Sequence, residues 1–151
     1  MAVRLPVLTG LLAGALLGGA AQAGERSVDI EIVGVVPENC SIAVDDSRAL
    51  IDLSGSVSQL RIATVTESCN RLSGYVVTVR SSQNGVLASD AGTIGYSVTY
   101  GGQPVDLAGG SVIERSLQDS ATPRDLLVSV PPGNYAGGVY HDVITIEISA
   151  Q

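Results

Sequence analysis

The sequence contains no phenylalanine, tryptophan or lysine, and it has only one methionine and one histidine. A core without Phe and Trp must be built from Val, Ile, Leu and Ala with the five tyrosines. All eight basic residues are arginines, and they stand against fifteen Asp and Glu residues, a balance that disfavours nucleic acid and anionic membranes as partners. The 18 glycines, and the lack of helical periodicity beyond residue 23, favour an all-β domain with many turns.

The residues that catalysis would require are also missing. His141 is the only histidine, and on a strand the adjacent Asp142 points to the opposite face, so a Ser–His–Asp triad is not expected. The acidic pair Asp45-Asp46 has no further carboxylate at calcium-ligand spacing, which favours a solvated turn. Phosphate-binding and dinucleotide-binding motifs and a nucleophile elbow are absent as well. We therefore expect neither an enzyme nor a bound metal or cofactor.

Residues 1–23 have the pattern of a secretory signal peptide. Arg4 supplies the positive start, Leu5 to Leu17 forms a short apolar run, and Ala21-Gln22-Ala23 is a small-residue cleavage site. A membrane anchor is the alternative, but the run is shorter than the roughly 20 apolar residues that a spanning helix needs. The prediction is one exported domain, residues 24–151, that passes through the periplasm and keeps no integral membrane segment after cleavage.

Two cysteines, Cys40 and Cys69, are present. An even count in an exported protein indicates a disulfide, which restricts the unfolded chain. A redox or metal-binding pair is the alternative, but the wide spacing lacks CxxC character and one histidine adds too few ligands for zinc. We therefore predict that Cys40 bonds Cys69.

The stretch 137–151 predicts a strand at the end of the sequence. Ile144, Ile146 and Ile148 alternate with polar or smaller residues, so the three isoleucines share one face. No hairpin partner follows this strand. Its free edge must therefore pair with an earlier part of the chain or with another molecule.

A second alternating stretch lies near the start, at Ser27–Val36. Val28, Ile30 and Ile32 alternate with acidic residues, which predicts a strand with one apolar and one acidic face. This strand either pairs with the last strand of its own domain or is used by a neighbouring molecule. The alternating pattern is the same in both cases.

Between these two stretches the sequence predicts seven to nine short strands separated by turns, which indicates a β-sandwich. A turn is expected at Gln83-Asn84-Gly85, and residues 103–124 are less regular. The predicted internal strands are 40–44, 50–53, 60–65, 75–80, 86–88, 93–100 and 125–130.

Several motifs, taken in their order, resemble the archaic chaperone–usher pilins of the spore coat protein U-like family. The clearest is Gly138-Val139-Tyr140-His141-Asp142 followed by the alternating isoleucines, which resembles the terminal strand of chaperone–usher pilins. The further matching segments are Pro37–Ile42 around the first cysteine, Glu67–Cys69 with Tyr75–Val79, and Gly95–Tyr100.

This resemblance implies an immunoglobulin-like sandwich that lacks its final strand. A periplasmic chaperone, and later the N-terminal segment of another pilin subunit, would complete the fold after transfer at an outer-membrane usher. The donor segment would be about residues 27–34, with Val28, Ile30 and Ile32 inserted. The receiving groove would include Tyr140 and the three isoleucines of the last strand.

The function implied by the resemblance is a structural subunit of a surface pilus or fimbria in a homo- or hetero-polymer, with a role in adhesion and biofilm. The alternative is a self-contained secreted sandwich that acts as a binding module, a tip adhesin or a coat protein. In that case Tyr135 and Tyr140 are candidates for receptor contact, although core or turn positions suit tyrosines equally well.

Overall fold

The computed structural model describes residues 27–46 and 48–151, so the predicted signal peptide lies outside the described residues. Residues 36–151 form one compact unit, and the residues before 36 belong to a different one. No described residue is helical, and none of the described chain forms a helix that is long and apolar enough to cross a membrane. The ten strands are β1 Cys40–Val44, β2 Val57–Cys69, β3 Tyr75–Ser81, β4 Val86–Ser89, β5 Gly92–Gly95, β6 Ser97–Tyr100, β7 Gln103–Val105, β8 Ser111–Arg115, β9 Gln118–Val130 and β10 Ile144–Ala150.

The strands build an antiparallel β-sandwich, which confirms the fold class expected from the sequence. One sheet has five strands in the order β1-β2-β9-β6-β7, and the other has three in the order β10-β3-β8. A separate hairpin pairs β4 with β5. Neighbouring strands are antiparallel throughout. Because successive side chains of a β-strand point to opposite faces, alternate residues of the central strands face the interior.

The core is aliphatic with two large aromatic residues. Tyr75 and Tyr100 are fully buried, as the absence of Phe and Trp requires. The remaining buried side chains come mainly from alternating positions of β2, β3 and β9, namely Ala63, Val65, Cys69, Val77, Val79, Leu126, Val128 and Val130, joined by Ile94, Val98, Leu107 and Ile113.

The predicted disulfide is present. Cys40 bonds Cys69, and these two residues are also paired in register where β1 lies against β2. The bond therefore fastens the edge strand β1 to its only neighbour in the sheet.

The turn at Gly74, which follows β2, requires glycine, because φ is +87° and an added Cβ would lie 2.3 Å from the carbonyl oxygen of Arg115.

The structure confirms some predicted strands and corrects others. Strands are present at 40–44, 75–80 and 86–88, and the expected turn has Asn84 and Gly85 at positive φ, although the strands it joins, β3 and β4, do not pair with each other. The predicted strands 60–65 and 125–130 are parts of the longer β2 and β9, and 93–100 divides into β5 and β6. β7, β8 and the start of β9 occupy the less regular region 103–124.

Two predicted strands are not formed. Residues 50–53 lie outside every strand, because a local turn forms instead in which the Asp52 carboxylate accepts a hydrogen bond of 2.9 Å from the Ser54 amide. Residues 27–36 also lie outside every strand. An alternating sequence becomes a strand only where a neighbour supplies ladder hydrogen bonds, and this segment has none within the chain as described.

Candidate functional site

An open apolar groove lies between β1 and β10, two strands whose Cα atoms also approach within 8 Å of each other in places. It has a volume of about 720 Å³, and its two walls are β1 with the segment that follows it, and β10 with the segment that precedes it. Most of the lining side chains are aliphatic, with Ile42, Ile51, Leu53, Ile144 and Ile146 among them. The polar side chains Asp46, Arg48, His141 and Asp142 also border it.

The floor of this β1–β10 groove is the sandwich core itself. Ala63 and Val65 of β2, and Leu126 and Val128 of β9, line the groove and are also core residues. All four side chains are already at most 9% exposed. A side chain that entered the groove would therefore pack against the hydrophobic core rather than against a separate surface depression.

The edge of β10 that borders the groove has free backbone groups. β10 pairs with β3, and within the described chain no strand pairs with its other edge. Because the carbonyl of Val143 accepts a 2.9 Å bond from the Ser82 amide, alternation turns residues 145, 147 and 149 towards β3. The N–H and C=O groups of Ile144, Ile146 and Ile148 therefore point away from β3.

The opposite wall of the groove, β1, also has backbone groups that form no bond to a neighbouring strand. The bonds Asn70 N–H to Asn39 O and Asp45 N–H to Thr64 O, both 3.1 Å, direct the odd-numbered residues of β1 towards β2. By the same alternation, the backbone groups of Ile42 and Val44 face away from β2. The groove thus combines an apolar floor with two backbone edges that can each form a ladder, which is the set of features that an added β-strand requires.

The carboxylate of Asp142 fixes the start of β10. It accepts hydrogen bonds from the Ser81 hydroxyl at 2.5 Å, the Ser82 hydroxyl at 2.7 Å and the Tyr96 hydroxyl at 2.7 Å. The backbone amides of Gln83, at 3.0 Å, and Val143, at 2.6 Å, donate to the same group. This network holds one wall of the groove in place although β10 has a neighbour on one side alone.

The network also determines how these groups titrate. Burial alone would raise the pKa of Asp142, but the hydrogen bonds from Ser81, Tyr96 and Ser82 outweigh it and place the pKa below its ordinary value. Burial, followed by the hydrogen bond to Asp142, raises the pKa of Tyr96. The carboxylate is thus held in the charged form and the phenol in the neutral form, which preserves the hydrogen bond between them.

A second polar network is buried inside the sandwich, away from the residues that line the groove. Glu67 on β2 is fully buried, and it accepts hydrogen bonds from the hydroxyls of Tyr100 and, at 2.9 Å, Tyr75. The Nε atoms of Arg115 and Arg124 lie 3.5 and 3.8 Å from the same carboxylate. Burial and the bond to Glu67 raise the pKa of Tyr75 to about 12. The sequence analysis did not identify this cluster.

The groove brings together most of the residues expected in the last strand. Tyr140, Ile144 and Ile146 line it, while Ile148 lies on the same face of β10 and packs half-buried against the core. The Tyr140 hydroxyl donates to the Ala136 carbonyl at 3.0 Å, and the Tyr135 hydroxyl donates to the Pro131 carbonyl. Each of these two hydroxyls therefore has a backbone partner four residues earlier.

The side chains of the proposed donor segment are exposed. Val28, Ile30 and Ile32 are 85%, 83% and 92% exposed, an unusual state for three aliphatic residues in alternating positions. Aliphatic side chains that stay in water in one molecule are available for burial in another.

The described residues provide no metal-binding cluster of three or more His, Cys, Asp or Glu side chains. His141 is exposed, and its backbone forms an isolated bridge with Ala88 through two 3.0 Å hydrogen bonds. It therefore stands at the entrance to β10, as expected from the sequence. No protein-family model matches this chain, and no curated protein sequence matches it.

Proposed function

We propose that this protein is a structural subunit of a surface pilus, of the archaic chaperone–usher type, that polymerises by donation of a β-strand. The N-terminal segment of one subunit, about residues 27–34, fills the β1–β10 groove of the next. A periplasmic chaperone occupies the groove before assembly, and an outer-membrane usher exchanges the chaperone for a subunit. The chain is thereby exported through the periplasm to the cell surface, where the fibre serves adhesion and biofilm formation.

The free edge of β10 beside an open groove whose floor is the core is the observation that carries this proposal. An aliphatic groove of this size between two unpaired backbone edges is open to chance pairing with other strands unless a partner covers it. A partner strand would satisfy both the backbone edges and the apolar floor.

The strand order supports the same conclusion. In an immunoglobulin-like sandwich, strands A, B, E and D form one sheet, and C, F and G form the other. Here β1, β2, β9 and β6 follow the order A-B-E-D, while β3 and β10 correspond to C and F. On this assignment the position of strand G, beside F, would fall in the β1–β10 groove, and no described strand occupies it.

The N-terminal segment has the pattern required for that position. Its aliphatic side chains repeat every second residue, like Ile144 and Ile146 across the groove. Burial of Val28, Ile30 and Ile32 would contribute roughly 1.5–3 kcal/mol each, and main-chain hydrogen bonds would fix the register. The acidic side chains between them would face water.

Substitution of Ile30 by Asp in the full chain tests the proposal in cells that assemble the fibre. A charge placed in the apolar groove of the neighbour costs more than the loss of the aliphatic contacts. We expect the variant to be exported and oxidised but to form no detergent-resistant oligomers. Glu31→Gln, on the opposite face of the same segment, is the matched control and should assemble like the wild type.

The alternative function predicts a different result. A self-contained secreted module, such as a tip adhesin or coat protein, has no need of segment 27–34 for assembly. Normal oligomers from Ile30→Asp would therefore contradict the proposal and favour that alternative. Unfolding of Ile30→Asp even when a peptide of residues 27–34 is supplied would also contradict it, because the segment would then be an ordinary strand of its own domain.

A further inference from the structure

A second cavity continues the β1–β10 groove at the start of β10. It has a volume of about 390 Å³ and lies between residues 50–54 and residues 135–140. Five of its lining residues, Leu50, Ile51, Leu53, Val139 and Tyr140, also line the main groove. The two cavities are therefore adjacent, and a chain segment that leaves the groove at this end would pass directly into the second cavity.

The rim of this cavity is apolar and largely open to water. Leu50 is fully exposed and Val139 is 85% exposed. Tyr135 and Tyr140 are half-buried, and each hydroxyl donates a hydrogen bond to a backbone carbonyl. Their rings therefore add apolar surface to the rim without leaving a hydroxyl unpaired. Asp52 and Ser54 also line the cavity, where the Asp52 carboxylate accepts a 2.9 Å bond from the Ser54 amide, so aliphatic side chains would contact the apolar part of this surface.

The direction of the donor strand determines what reaches the cavity. Every ladder between described strands is antiparallel, so we take an added strand to run antiparallel to β10. The residues that follow Ile32 then emerge beside Val139 and Tyr140, at the start of β10. Four residues of extended chain span roughly 13 Å, enough to carry Val36 beyond the main groove.

The residues that follow Ile32 are themselves apolar. Val33, Val35 and Val36 are 73%, 83% and 83% exposed; Val33 and Val35 are out of phase with Val28, Ile30 and Ile32, whereas Val36 is in phase with them. Gly34 stands between Ile32 and the pair Val35-Val36, and a glycine lets the chain change direction there. If Val28, Ile30 and Ile32 occupy the groove, the valines that follow them still need an apolar surface to cover them.

We infer that the second cavity docks Val35 and Val36 of a second copy of this chain, immediately after its donor strand. This inference rests on the proposed function, because the donor strand must first occupy the groove. The docked valines anchor the connection between two subunits at the place where the donor segment leaves its neighbour. The contact would then fix the angle between successive subunits as well as add affinity.

Peptide titration tests this contact. The acceptor is the full-length Ile30→Asp protein, which keeps its own groove but cannot donate, refolded with each peptide and followed by fluorescence anisotropy and thermal melting. The probes are a peptide of residues 27–36, the same peptide with Val35→Ser and Val36→Ser, and a peptide of residues 27–34. We expect the 27–36 peptide to bind at least tenfold more tightly than the Ser-substituted one, a difference of about 1.4 kcal/mol.

Substitutions in the acceptor locate the contact. Ala136→Asp, at an exposed position that lines the second cavity but not the main groove, should abolish the advantage of the 27–36 peptide and leave binding of the 27–34 peptide unchanged. Val112→Asp on β8 is the control, since Val112 is 68% exposed and lines neither cavity. If Ala136→Asp lowers folded yield, Gly137→Asp provides the same test, since Gly137 is exposed, lines the second cavity alone and has no atom within 4 Å of an added Cβ.

The possible outcomes separate the two proposals. Equal binding of the valine and serine peptides, or an advantage that survives both Ala136→Asp and Gly137→Asp, would overturn the docking contact alone. Failure of all three peptides to bind would overturn the proposed function and this inference together.

Discussion

The buried carboxylate of Glu67 provides a stability prediction whose size follows from the structure. Glu67→Gln keeps the shape of the side chain but removes the negative charge that faces Arg115 and Arg124. Removal of one partner of a buried ion pair costs roughly 3–5 kcal/mol, because the remaining charge stays desolvated. The Arg115 side chain is 11% exposed, whereas that of Arg124 is 27% exposed and keeps some contact with water. We therefore expect a loss of about 3 kcal/mol.

Urea unfolding of the oxidised full chain measures this loss. The matched control is Glu147→Gln, which breaks the ion pair between Arg80 and Glu147 on the sandwich surface. Both side chains of that pair are more than half exposed, so the control should change the free energy of unfolding by less than about 1 kcal/mol. Equal stability losses for the two variants would refute the argument that burial makes the Glu67 cluster important.

Two further predictions concern the groove walls. Cys69→Ser should lower the free energy of unfolding by roughly 2–5 kcal/mol and with it the yield of folded protein, because the disulfide holds β1 to β2; urea unfolding measures the loss, and unchanged stability would contradict this role. Asp142→Asn should destabilise the protein at neutral pH, because the folded-state pKa of Asp142 is lowered and its contribution is fully present only above the unfolded value of 3.8. That contribution disappears as the pH falls through the folded pKa, so melting curves of variant and wild type should converge in acid; a constant difference down to the lowest pH would contradict this assignment.

The sequence predicts the strands whose partners are long and regular. Alternation in 75–80 and in 144–148 matches β3 and β10, because both strands have one face on a continuous core. The pair Cys40 and Cys69 was also predictable, from their even number and the exported context. The two strands follow from a local alternation of residues, and the disulfide follows from the cysteine count with the predicted signal peptide, and both kinds of signal can be read in the sequence.

Features that depend on a neighbour were missed. β7 has only three residues and exists because β6 pairs with it. Residues 50–53 have aliphatic positions but no strand beside them, and they line the groove as irregular chain instead. Pairing partners are fixed by topology, which no short sequence window contains.

The Glu67 cluster was predictable from the sequence only in part. Glu67 is in phase with Val65 and Cys69 along β2, so the alternation already indicated an inward-facing carboxylate. Its partners Tyr100 and Arg115 lie on β6 and β8, and only the folded arrangement shows that they meet it. The groove was expected as a consequence of the family resemblance, whereas its volume and its continuation into a second cavity required the structure.

The most direct test of the proposed assembly mechanism is to supply the donor strand within one chain. Residues 27–34 are appended after Gln151 through a short Gly-rich linker, which gives the strand a millimolar effective concentration. Filling the groove with three aliphatic side chains should raise the melting temperature by about 10 °C or more and yield a monomer that no longer polymerises. The same fusion with Ile30→Asp in the appended copy should gain nothing. A melting temperature unchanged by the intact fusion, or raised equally by both, would contradict the claim that this groove receives the segment.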